Sequence, residues 1–203
     1  MIRVSFTKFL DFTAQNGVPK ATTAISAWTQ SNTPYDPATD YHRRIRQKII
    51  GFEKTSVEPD WEDFLSEQHP KKKTNFRDTI DRYTKWRARH QNIEWFEPPT
   101  AQWDSSEFSV KVNPELGLIL DGQKTAIKLF INRNKLSKLK AQIAGRMMHE
   151  ALEKNAPNTR FAILDIKADK LHILTNENEK LGYLLIGEAA HLSAMIAAIR
   201  GGQ

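Results

Sequence analysis

The apolar rhythm of this 203-residue chain changes once, at Glu97-Pro98-Pro99. Before it, hydrophobic residues recur every three to four positions, as on helices that bury one face. After it, short runs alternate with turn residues, as in strands. Two adjacent prolines remove two backbone donors and hold the residue before them extended, so neither a helix nor an inner strand continues through them. The expected class is α+β or α/β. A helical N-terminal subdomain, 1–98, packs on an α/β domain, 99–203, whose mixed sheet is flanked by helices.

Local signals fill in this outline. Ser5 or Thr7 can cap a first helix with Phe6, Phe9, Leu10 and Thr13 on one face, and Asn16-Gly17 with Pro19 ends it. Residues 29–39 read as a loop punctuated by Pro34 and Pro37. Asp40 caps a helix that turns Tyr41, Ile45, Ile49 and Phe52 inward. Glu58-Pro59-Asp60 opens a short helix ended by His69-Pro70, and Thr74 caps a longer one to His90. Strands are expected at 108–112, 116–120 and 125–131, with a turn at Asp121-Gly122. Asn134 opens a long helix, and strands follow at 161–166 and 171–174. Residues 181–186 read as strand or helix. The alanine-rich helix 188–200 is expected to pack on the core rather than on another copy of itself.

Composition removes whole classes of chemistry. With no cysteine there is no disulfide, thiolate metal site or cysteine nucleophile. The six histidines lack metal-binding spacing, and neither a Walker A nor a Rossmann glycine pattern occurs. No cofactor is expected from these signals. No 18-residue run is uncharged and apolar, and Arg3, Lys8 and Asp11 interrupt the N-terminal stretch, so the expectation is a cytoplasmic protein with no membrane partner. Thirty Lys+Arg against 24 Asp+Glu give a net charge of +6, enough to attract polyanions.

From about residue 74 the expected order is helix, three strands as a meander, a crossover helix and a further strand, which such a crossover places parallel to its neighbour. This order, over roughly 74–174, resembles the restriction-endonuclease-like, or PD-(D/E)XK, nuclease superfamily. In that superfamily an acid on the second strand and an acid-x-Lys on the third hold Mg²⁺ and activate water. Pro114-Glu115 stands where Pro-Asp is expected, and Ala126-Ile127-Lys128 where acid-x-Lys is expected. The resemblance therefore implies a degenerate centre of Glu115, Asp121 and Lys128. Mg²⁺ would enter only if the turn folded Asp121 back toward Lys128. The plain alternative is a hairpin-edge carboxylate and a lysine whose stem lies on apolar surface. Asp165-Ile166-Lys167 also spells acid-x-Lys, but it follows the long helix, and reads as a strand leaving the core.

A second signal is cationic. Residues 71–90 hold eight basic groups against two acidic ones. Lys71, Lys72, Lys73, Arg82, Lys85 and Arg89, with Arg43 and Arg44 on the helix that Asp40 caps, form a candidate phosphate-tracking surface. Pairs Asp78–Arg82 and Asp81–Lys85 would instead make part of it a solvated helix face. The functional expectation is a nucleic-acid-interacting protein on a degenerate nuclease-like scaffold, in DNA processing or defence against foreign DNA. The alternative is a non-enzymatic protein-interaction module, an inhibitor, immunity factor or assembly subunit, using tryptophans 28, 61, 86, 95 and 103 as partner anchors.

Overall fold

The computed structural model describes residues 2–13, 15–33, 40–131, 136–174 and 179–202. The chain opens with β1 (Ile2–Ser5), α1 (Phe6–Thr13) and α2 (Gly17–Ser31). Next come α3 (Arg43–Thr55), α4 (Trp61–Ser66) and α5 (Pro70–Arg87). The strands β2 (Glu94–Trp95), β3 (Ala101–Asp104), β4 (Phe108–Val112), β5 (Leu116–Leu120) and β6 (Gln123–Phe130) follow. The chain closes with α6 (Lys138–Leu152), β7 (Arg160–Asp165), β8 (Lys170–Leu174) and α7 (Lys180–Gly201). This is an α+β fold with two mixed sheets, ordered β1-β4-β3 and β2-β5-β6-β7-β8.

The larger sheet is built on the β5–β6 hairpin, closed by Asp121-Gly122 with both residues at positive φ. Helix α6 then crosses over and sets β7 parallel to β6, as a crossover connection should. Both faces of β6 and β7 are buried, and their side chains alternate between two clusters. Ala126, Phe130, Phe161 and Ile163 pack with α1, α2, α6, α7 and the smaller sheet. Ile127, Leu129, Ala162 and Leu164 pack with α3, α4 and α5. Each cluster draws residues from both sides of the Glu97-Pro98-Pro99 break: Phe6 and Ala24 with Ile143 and Leu185 in one, Ile45 and Phe76 with Leu118 in the other.

Several local expectations need correction. The expected meander is split, because β4 pairs with β1 and β3 instead of β5. Its register aligns Val4 with Val110, and β1, too short and too mixed to stand out in the sequence, is parallel to it. Helix α1 ends at Thr13, and Gly17, expected to stop it, begins α2. Pro19 sits in the first turn of α2, where a missing N–H breaks no helical bond. Helix α2 occupies the first part of the expected 29–39 loop, whose residues 34–39 lie outside those described. Helix α5 starts at Pro70 instead of Thr74, capped by His69 Nδ1, which accepts from the Lys71 N–H at 3.2 Å. Asn134 lies outside the described residues. Ser137 caps α6, its hydroxyl accepting from the Lys140 N–H at 3.2 Å. Residues 181–186 are helical, the first turns of α7. By length and composition α7 could cross a membrane, although Glu188 interrupts its apolar run. In this fold one face of α7 packs on α2 and α6.

Candidate functional site

The hairpin register brings Glu115 and Lys128 together. Leu116 lies opposite Ile127, so the next residues outward are Glu115 and Lys128. Lys128 Nζ donates to Glu115 Oε1 at 2.6 Å, and the Leu129 N–H donates to Oε2 at 2.8 Å. The two side chains are only 7% and 9% exposed, and the ammonium lies 5.6 Å from the Phe6 ring centroid. The pair is thus a closed unit in which each oxygen of the carboxylate has a donor.

Asp121 is not part of this unit. It sits in the turn at the opposite end of the hairpin, six residues along from Glu115 and Lys128's register, which is about 20 Å. There it lines a shallow hollow of about 410 Å³ with Arg89, Gln91, Asn92 and Gly122. The Mg²⁺ site that the nuclease resemblance implies does not fit these residues. Glu115 is committed to Lys128 and a backbone donor, position 126 is alanine, and Asp121 faces another surface. Among the described residues no three acidic or imidazole groups converge as cation ligands.

The second acid-x-Lys string is structural. Asp165, 1% exposed, accepts from the N–H groups of Leu136 and Ala168, both at 3.0 Å. It ties the start of α6 to the turn after β7. The Lys167 carbonyl accepts from Arg82 at 2.7 Å. His149 is a boundary histidine, its Nε2 3.2 Å from the Leu174 carbonyl oxygen and its ring edge-on to Phe161.

The basic surface divides into two parts. Arg82 is spent on Asp78 and the Lys167 carbonyl, and Arg89 clamps the Asp169 carboxylate at 2.7 Å. Both hold α5 to the β7–β8 turn. The expected Asp81–Lys85 pair is not made, and Lys85 lies at the far end of α5 from Lys71. The other part is a pole formed by two helix starts. Tyr41 lies beneath the Lys72 ammonium, 4.9 Å from ring centroid to Nζ, and its hydroxyl accepts from Asn75 at 3.4 Å. At the opposite ends of the same helices, Glu53 contacts Tyr83 and Arg87. Helices α3 and α5 are therefore parallel, with both N-termini at one end.

That end carries Arg43, Arg44, Arg46, Lys71, Lys72 and Lys73, and neither helix has an acid in its first turn. Arg44 pairs with Glu67 at 2.9 Å, and Arg46 pairs with Asp40. Arg43, Lys71 and Lys73 have no carboxylate partner among the described residues. Cations at a helix start oppose the helix dipole by about 0.3–1 kcal/mol each. Two parallel starts with three unneutralised cations make a strongly positive surface suited to a polyanion.

Sequence reading missed the polar group that locks these helices together. Glu53, 2% exposed, accepts from Tyr83 Oη at 2.7 Å and from Arg87 Nε at 3.2 Å. Its only sequence signal is position, beside Phe52 on the inward face of α3. Burial, then the Glu53 charge, push the Tyr83 phenol well above its ordinary value of 10.0. Above pH 10 the unfolded chain releases this proton while the folded chain keeps it. The stabilisation is therefore complete below pH 10 and is lost as pH rises beyond it. Urea melts should show stability falling between about pH 10 and 11, with a shallower fall in Tyr83→Phe.

The tryptophans do not form a surface set. Trp86 is buried, Trp103 donates to Glu150 at 2.9 Å, and Trp28, Trp61 and Trp95 are half-buried against the two clusters. Comparison with known protein families, with curated proteins and with solved structures finds no match to this chain.

Proposed function

We propose that this chain binds nucleic acid through the paired N-termini of α3 and α5, on a restriction-endonuclease-like scaffold whose centre is degenerate. The observation that carries the reading is the cationic pole. Arg43, Lys71 and Lys73 stand without carboxylate partners among the described residues, at two helix starts with no acid in the first turn. Phosphates would supply the missing negative charge, and their binding releases counterions from the nucleic acid. The degenerate centre is supported by Glu115–Lys128, which leaves no carboxylate oxygen for a metal. Cleavage of DNA or RNA with Mg²⁺ or Mn²⁺ is accordingly not expected from these residues.

The test is binding of duplex DNA, single-stranded DNA and RNA as a function of salt. The triple variant Arg43→Gln/Lys71→Gln/Lys73→Gln should weaken binding at every sequence. It should also flatten the slope of log K against log salt by about 2–3, near 0.9 per lost duplex phosphate contact. Arg82→Gln and Arg89→Gln, which lie in the β7–β8 clamp, should leave that slope nearly unchanged. Absence of binding to all three nucleic acids at low ionic strength removes the proposal.

The second reading, a protein-interaction module, draws support from the uncharged outer face of α7. A stoichiometric protein partner that survives nuclease treatment of purified native material would favour it.

A further inference from the structure

The parallel helices α3 and α5 share a second end, away from the cationic pole, and a hollow of about 510 Å³ opens beside it. One wall is an arginine held in place. Arg87 Nε donates to the buried Glu53 Oε1 at 3.2 Å, and the guanidinium carbon lies 4.9 Å from the centroid of the Phe52 ring. A hydrogen bond and a ring face thus fix the plane of the group. Its two terminal nitrogens meet no acceptor among the described residues, and the side chain, 25% exposed, lines the hollow.

Around this arginine stand charges that do not neutralise one another. Lys85, Asp81 and Glu58 line the same hollow and are all exposed. Among the described residues none of their side chains makes an ion pair or hydrogen bond. Arg77, the other cation near Asp81, is taken by both oxygens of Glu62 at 2.6 and 2.7 Å. The order along α5 sets a length. Asp81 precedes Arg87 by six residues, about 9 Å of helix axis, and on the helix surface Thr84 and Ala88 fall between them. The chain runs back from Phe52, beside Arg87, to Glu62, beside Arg77, which puts Glu58 toward the Asp81 end.

We infer that this hollow binds a small ω-amino carboxylate, a ligand with a carboxylate at one end of an aliphatic stem and an ammonium at the other. The carboxylate sits on the Arg87 fork, whose parallel donors match its two oxygens, with Lys85 as the second cation. The stem lies on Phe52 and the Ala88 methyl, the apolar part of the lining. The ammonium sits between Asp81 and Glu58. A carboxylate without the ammonium would face both acids, and an ammonium without the carboxylate would face both cations. Only a ligand carrying both charges gives all four side chains an opposite sign. An α-amino acid head group, whose two charges share one carbon, is too short for this separation. Nucleic acid is disfavoured here, since its phosphates would meet two carboxylates. The volume lies within the range of small-ligand sites, about 300–1,000 Å³.

The test is titration of the full chain with ε-aminocaproate, caproate and hexylamine, followed by NMR at the Arg87 Nε–H and the Thr84 and Ala88 amides. The three compounds share one stem and differ only in their charged ends. ε-Aminocaproate should saturate these shifts at about millimolar concentration. It should bind at least about tenfold tighter than either single-ended compound, the effect of one missing charged contact. The double variant Glu58→Gln/Asp81→Asn, at two exposed positions, should keep the melting temperature. It should weaken ε-aminocaproate to the level of caproate and leave caproate no weaker. The variant Arg43→Gln/Lys71→Gln/Lys73→Gln should bind ε-aminocaproate as wild type does, so the hollow and the nucleic-acid reading are tested apart. The inference is overturned by an absence of saturable shifts up to about 10 mM. It is overturned equally by caproate or hexylamine binding as tightly as ε-aminocaproate, by undiminished affinity in the double variant, or by loss of binding in the triple one.

Discussion

Lys128→Ala should destabilise the fold by about 3–5 kcal/mol, because it strands a buried carboxylate without its counter-ion. Glu115 has no water-facing route to relief: its side chain is 9% exposed, and its other oxygen already serves the Leu129 N–H. Glu115→Ala should cost a similar amount, since it leaves both the ammonium and that buried N–H without an acceptor. The double variant Glu115→Leu/Lys128→Met should recover most of the loss, because apolar replacement of a whole buried pair is often neutral or better. Urea denaturation of the four proteins measures this. A loss below about 1 kcal/mol in both single variants is the behaviour of a solvated pair. It would mean that the centre opens to water, which the closed geometry excludes.

Gly117→Ala should be nearly as damaging for a steric reason. A Cβ there would stand 2.2 Å from the Phe96 carbonyl oxygen and 3.1 Å from the backbone of Phe96 and Pro98. None of these atoms belongs to a flexible side chain, and Pro98-Pro99 stiffens the segment. Relief requires moving β2 away from β5 and breaking the bond from the Phe96 N–H to the Gly117 carbonyl, 2.9 Å long. A loss of about 2–3 kcal/mol is expected, the upper part of the overpacking range. Amide exchange at Phe96 should accelerate with it. Gly51→Ala is the control: it lies within α3 with open space around it. It should stabilise the helix by about 0.5–1 kcal/mol. Equal effects at the two glycines would mean that the β2–β5 contact is not formed in solution.

Much of the candidate site was legible as residues but not as an arrangement. Lys128 drew attention because a charge inside an apolar strand must meet a partner or reach water. Glu115 drew attention only as the acid after Pro114, and its place beside Lys128 was set by the hairpin that Asp121-Gly122 closes. Asp121 was misplaced for the same reason: the turn that aligns the other two holds it at the far end. Arg82 and Arg89 looked like Lys71 and Arg43 in the sequence. Yet Lys167 and Asp169, some 80 residues later, remove them from the free surface.

The strands at 108–112 and 116–120 and the inward faces of α1 and α3 were determined by the order of residues alone. Alternation, helical spacing and caps act over a few positions, so they can be read there. Which strand β4 chose, how α3 and α5 came to lie parallel and which cations stayed unpaired were decided only by the tertiary structure. Each depends on partners far apart in the chain, and many pairings satisfy the same local pattern. Burial in a shared core selects among them.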